Sequence, residues 1–153
     1  MSQEPLVPND FEVPRELRSD QFRLVPLGPE HNAADLAAWM SSIQHLQATP
    51  GFEGRGWPPD EGFSAEANLA DLIRHADEFE RRVAFAYTVL RPDVDDAPDV
   101  IGCVYFDPGA RPGSVDVRSW VRADVAELDG VLRQTVREWL ARSWPFDEIE
   151  YGG

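Results

Sequence analysis

Apolar residues recur every three or four positions in three stretches of this chain and every second position in several shorter ones. The clearest helical stripe is Leu128, Val131, Leu132, Thr135, Val136, Trp139 and Leu140. That period predicts an amphipathic helix from about Val125 to Arg142, stopped by Pro145. Immediately before it, Val115 to Val121 alternates and reads as a strand, with Trp120 on the face opposite Val117, Ser119 and Val121. Nearer the start, Phe22 to Leu27 is a short strand closed by Pro26 and Gly28. Pro29 then opens a helix over Glu30 to Ser41, with the stripe Ala33, Leu36, Ala37, Met40 and Ile43. Ser64 caps a second helix running to about Arg81, whose apolar face is Leu69, Leu72, Ile73, Ala76 and Phe79. Val83 to Leu90 and Val100 to Phe106 are strands joined by a polar turn, which predicts an antiparallel hairpin. Phe146 to Tyr151 is the last strand. A strand–helix–strand crossover at the end predicts that the last two strands run parallel.

Two segments have no period. Residues 1–20 are expected to be a loose N-terminal segment, with residues 21–153 forming a single domain. Ala48 to Phe63 holds four Gly and three Pro, too many for regular structure, yet it carries Phe52, Trp57 and Phe63. It either walls a pocket or folds back as a lid on the core.

Composition narrows the function. The net charge of -14 disfavours nucleic acid and anionic membrane surfaces, which need clustered cations. All 14 cationic residues are Arg, so lysine chemistry is excluded. Cys103 is the one cysteine, which rules out an internal disulfide and any multi-cysteine metal site. It reads as a small buried hydrophobe on the face of Ile101 and Tyr105. His31, His45 and His75 are scattered without ligand spacing, so no metal is expected. Asp93, Asp95, Asp96 and Asp99 read as a solvated turn. With no signal peptide and no membrane-length apolar run, the expected compartment is the cytoplasm.

The candidate chemistry lies on the strands. Asp116 is a candidate base if burial raises its pKa, or else an exposed carboxylate paired with Arg118 or Arg122. Tyr87 and Tyr105 are candidates for reaching a cleft as acid or hydrogen-bond donor, or for packing. At the strand-to-helix junction, Asp124-x-x-Glu127 reads as a capping box in which the helix supplies its own anion.

The order of elements resembles the GNAT superfamily of acetyl-CoA-dependent N-acetyltransferases, the acyl-CoA N-acyltransferase fold. The residues that carry it are Phe22-Arg-Leu-Val-Pro-Leu27 with Gly28-Pro29-Glu30-His31, then Phe85-Ala-Tyr-Thr-Val-Leu90, Val100-Ile-Gly-Cys-Val-Tyr-Phe106 and Val115-Asp-Val-Arg-Ser-Trp-Val-Arg122. The resemblance implies a three-layer α/β (α+β) fold: a mixed, mainly antiparallel sheet, helices on both faces, and a parallel last pair of strands. It also implies Asp116 as base, Tyr105 as acid, backbone contacts from Ser119, Trp120 and Val121 to the cofactor, and an acceptor pocket at Phe52, Trp57, Phe63 and Tyr87.

Two departures accompany the resemblance. The family's turn reads roughly Arg/Gln-x-x-Gly-x-Gly, and its amides hold the cofactor pyrophosphate. Aligned without gaps on Trp139, those positions fall on Asp124, Glu127 and Asp129, while Gly130 lies one residue past them. A Cβ hinders close backbone approach, and carboxylates repel phosphate. The family also continues with another helix and two strands beyond this last one, so the resemblance is to a C-terminally shortened form. The expected function is a degenerate, non-catalytic acetyltransferase-like domain that binds a small ligand, with no cofactor. The alternatives are an active N-acetyltransferase using acetyl-CoA atypically, and a dimeric interaction module meeting its partner through the last strand or the aromatic loop.

Overall fold

The computed structural model describes residues 4–92 and 99–151. Six strands form one sheet in chain order: β1 (Leu17–Arg18), β2 (Arg23–Pro26), β3 (Phe85–Leu90), β4 (Val100–Pro108), β5 (Ser114–Val121) and β6 (Glu148–Tyr151). Every neighbouring pair is antiparallel except β5 and β6, which run parallel from Ser114↔Glu148 to Val117↔Tyr151. Helices α1 (Asn32–Met40), α2 (Ile43–Gln47) and α3 (Ala65–Arg81) pack on one face, and α4 (Asp129–Ser143) on the other. This is the mixed three-layer arrangement expected from the element order.

The sheet separates two cores. Against α4, the side chains of Phe22, Leu24, Phe85, Tyr87, Phe106 and Val117 meet Leu132, Val136, Trp139 and Leu140. On the opposite face Leu27, Cys103 and Trp120 meet Trp39, Leu46, Leu72 and Phe52. The α4 stripe is as the period predicts, but the helix starts later. Ala123–Leu128 is a 3-10 segment with Val125 out of helical geometry, and α4 begins at Asp129.

Two of the three helices on the other face, α1 and α3, are rotated from their predicted stripes, and polar groups cause it. Asn68 of α3 accepts from Trp39 Nε1 at 3.1 Å and donates to Asn32 Oδ1 at 2.8 Å and Asp35 Oδ2 at 3.2 Å. Pairing these groups buries Asp35, Trp39 and Asn68 and turns Met40, Leu69 and Ile73 outward.

A β-bulge overturns the expected face of Cys103. Val89 pairs with Gly102 but Leu90 pairs with Val100, so Ile101 is an extra residue in β4. The parity flips there: Ile101 joins the α4 core, whereas Cys103 and Tyr105 face the other way. Gly102 is required at this point, because a Cβ would lie 2.2 Å from the Trp120 carbonyl oxygen.

The N-terminal segment also differs from its loose expectation. Arg82 ends α3 in the left-handed conformation, at φ 64°. Its guanidinium donates to Pro8 O at 2.6 Å and Phe11 O at 2.8 Å, and its carbonyl accepts from Leu6 N at 2.7 Å. Val7 is buried and Phe11 packs on Trp144, with ring centroids 5.3 Å apart. The segment then adds β1 to the sheet edge.

Candidate ligand site

The Gly/Pro-rich loop closes over the α1–α3 face. Gln47 of α2 pins it by donating to Pro58 O and Asp60 Oδ1, each at 2.8 Å. Trp57 sits at the centre of an aromatic group, 5.5 Å from Trp39, 5.6 Å from Phe52 and 6.3 Å from Trp120 by ring centroids. A cavity of about 240 Å³ opens beside it, lined by Trp57, Phe63, Asp71, Arg74, His75, Tyr105 and Arg118. Phe52 lies beneath the cavity and is buried.

Polar groups in the cavity are mutually fixed. Asp71, Arg74 and His75 project from one face of α3 at i, i+3 and i+4. Arg74 Nη2 lies 2.6 Å from Asp71 Oδ1, and Arg74 Nη1 lies 3.1 Å from Glu78 Oε1. His75 Nε2 lies 3.6 Å from Asp71 Oδ2. Burial works to raise the Asp71 carboxyl, but His75 and Arg74 outweigh it and hold it at about 2. Arg118 donates to Asp107 Oδ2 at 3.0 Å and lies over the Phe52 and Tyr105 rings at 5.3 and 5.5 Å. Tyr105 accepts from Trp120 Nε1 at 3.0 Å, and burial pushes its hydroxyl pKa well up. Behind the cavity Asp35 is almost completely buried, and that burial raises its carboxyl to about 6.

The other end of β5 meets the strand-to-helix junction. Val117↔Tyr151 is the last β5–β6 pair among the described residues. Tyr151 lies on the α4 side of the sheet. Its hydroxyl is 2.6 Å from Ser119 Oγ, and its ring lies under the guanidiniums of Arg133 and Arg137 at 4.5 and 4.9 Å. Burial raises its phenol to about 12.

In the junction, Arg122 holds Asp124 with two bonds of 3.0 Å and Asp99 with one of 2.9 Å. Asp124 therefore caps nothing: the residue preceding the 3-10 segment is Arg122, with no side-chain cap bond, and α4 has none either. The capping box is thus corrected to an ion pair, which won because Arg122 lies two residues away. The Ala123 amide donates to Ser42 Oγ at 2.8 Å. Asp129 Oδ1 is buried without a hydrogen-bond partner, and burial raises this carboxyl.

Comparison of the folded chain with solved structures gives three informative neighbours. The RimL ribosomal L7/L12 alpha-N-protein acetyltransferase (apo crystal form) matches at TM-score 0.65 and 16% identity over 92% of this chain and 72% of its own. The microcin C7 self-immunity acetyltransferase MccE, in complex with acetyl-CoA and AMP, matches at 0.64 and 9%, over 84% and 66%. A ribosomal-protein-S5-alanine acetyltransferase from Vibrio fischeri matches at 0.61 and 14%, over 82% and 66%. The fold is that of the GNAT acetyltransferases. No protein-family model matches the chain, and no curated protein matches it in sequence. The chain spans about two thirds of the length of these GNAT neighbours.

Within this GNAT fold, the residues singled out by sequence fall into separate places. Trp57, Phe63 and Tyr105 line the cavity, with Phe52 beneath. Tyr87 does not join them. It faces α4, packs on Trp139 at 5.1 Å and donates to Pro14 O at 2.7 Å, because its strand position has the parity of Phe85 and Val89. Ser119 and Val121 face α4, while Trp120 faces the cavity side, as alternation requires. Asp116 is half-buried, 3.9 Å from Arg55 Nη2, with its pKa raised by burial. It is not in the cavity lining. Asp71, Arg74 and His75 were missed by apolar patterning, although Asp-x-x-Arg-His is one-faced at helical spacing.

Among the described residues no group of three or more His, Cys, Asp or Glu could hold a metal. Among the described residues no helix is long and apolar enough to cross a membrane. Of the acidic turn, Asp93, Asp95 and Asp96 lie outside the described residues, and Asp99 pairs with Arg91 at 2.7 Å.

Proposed function

We propose that this acetyltransferase-like domain is non-catalytic: it binds a small ligand in the cavity under the aromatic loop and does not take acetyl-CoA between β5 and β6. The observation that carries the reading is the Ser119–Tyr151 bond of 2.6 Å, which ties side chains of β5 and β6 together beside their last pair among the described residues, Val117↔Tyr151. The junction supports it. An anion drawn to the amides there would meet Asp124, Glu127 and Asp129, with the Ala123 amide already engaged by Ser42. A like charge about 5 Å away costs about 3 kcal/mol at an effective dielectric of about 20. These residues do not fit an acyl-CoA pyrophosphate. Titration of the chain with acetyl-CoA tests the reading, and micromolar binding would sink it.

A second reading is an active N-acetyltransferase. MccE is described with acetyl-CoA bound, and a RimL structure with coenzyme A. In this chain Asp116 and the cross-strand pair Tyr105↔Arg118 lie two residues apart along one face, with Asp116 raised toward a base and Tyr105 kept protonated as an acid. It requires Tyr151 to leave Ser119 before a cofactor can pass between β5 and β6.

A further inference from the structure

We infer that the cavity beneath the aromatic loop takes a one-ring aromatic carboxylate. This rests on the reading of that face as the ligand site and names the ligand class. Size sets the first limit. At about 240 Å³ the cavity is below the range of about 300–1,000 Å³ that holds drug-sized ligands, so it admits a single ring and a small substituent. Trp57, Phe63 and Tyr105 supply ring walls.

Charge sets the second limit. Across the chain, acidic residues outnumber cationic ones 28 to 14. The cavity lining carries Arg74 and Arg118 beside Asp71, with Glu78 and Asp107 pairing these guanidiniums from outside the lining. The Asp71 carboxylate is already engaged by Arg74 at 2.6 Å and by His75, so little of it remains for a ligand cation. Both guanidiniums are held before a ligand arrives: Arg74 by Asp71 and Glu78, Arg118 by Asp107 and the Tyr105 ring. A fixed planar fork binds carboxylate without the ordering cost of a free side chain. Arg118 Nε, buried without a hydrogen-bond partner, is left to meet a ligand anion, whereas the one lining carboxylate, Asp71, is already engaged.

Nuclear magnetic resonance titration of the full chain tests this, read on the Trp57 indole N–H and assigned by its loss in Trp57→Phe. The probes are benzoate, benzamide and benzylamine. Benzoate is expected to saturate on the order of 1 mM, as suits so few atoms. It should bind at least about ten-fold more tightly than benzamide or benzylamine, a difference of about 1.4 kcal/mol. Arg74→Gln, at an exposed helix position, should weaken benzoate about ten-fold with unchanged melting, and Arg118→Gln should do the same where it folds. Benzylamine or benzamide binding as tightly as benzoate, no benzoate shift at Trp57, or an undiminished affinity in Arg74→Gln would each overturn the inference. Acetyl-CoA added to the same sample reports separately. Shifts confined to the Ser119 to Val121 amides would sink the non-catalytic reading while leaving the ring-carboxylate site standing.

Discussion

The Tyr151 hydroxyl and Ser119 Oγ lie 2.6 Å apart, Ser119 standing two residues past Val117, the β5 partner of Tyr151. A side-chain bond thus adds to the backbone ladder at Tyr151. Arg133 and Arg137 hold the Tyr151 ring from the helix side, so α4, β5 and β6 meet on one residue. The same geometry ties β6 to β5 and α4 through side chains.

Tyr151→Phe keeps the ring and removes this bond, leaving the buried Ser119 hydroxyl unpaired. Chemical unfolding should show a loss of about 1–2 kcal/mol with an unchanged denaturant slope. A loss below about 0.3 kcal/mol would mean that the bond does not hold the strand end in solution.

Two glycines should respond in opposite directions. Gly102→Ala drives a Cβ toward the Trp120 carbonyl oxygen, 2.2 Å from the ideal position, and is expected to destabilise by about 2–3 kcal/mol. Gly130 lies near the start of α4 with nothing within 4 Å of an added Cβ, so Gly130→Ala should stabilise by about 0.5–1 kcal/mol. Equal effects from the pair would contradict the bulge at Ile101.

Asp35 should give a specific pH signature. Its carboxyl is raised from 3.8 to about 6 by burial, so the folded state binds this proton more tightly than the unfolded chain. The group therefore works against folding above about pH 6, and that penalty is relieved as pH falls through the window toward 3.8. Asp35→Asn removes the charge. Its stability advantage over the parent should reach about 3 kcal/mol near neutral pH and fade below about pH 4. Asp71, held at about 2, titrates below this window and leaves it clean. A pH-independent difference would show that Asp35 is hydrated.

Much of the fold was legible in periodicity, because period reports which face is buried. The stripe of α4 and the alternation of Val117 and Trp120 follow from it, and the parallel last pair follows from the strand–helix–strand order. Where polar groups govern, period fails. The Asn68 bonds to Trp39 and Asp35 rotate α1 and α3. Arg82 gathers the carbonyls of a segment with no pattern at all. One inserted residue at Ile101 moves Cys103 to the other face. The candidate site divides in the same way. Its aromatic rings were visible in the loop, whereas the choice between Tyr87 and Tyr105 depended on strand parity, and the α3 charges depended on which helix face turned inward.

Calorimetric titration of the intact chain with acetyl-CoA tests the central claim most directly. With Tyr151 bonded to Ser119 and carboxylates in the junction, no saturable heat is expected up to on the order of 1 mM ligand. A saturable isotherm with a micromolar dissociation constant would contradict the account and restore the active acetyltransferase.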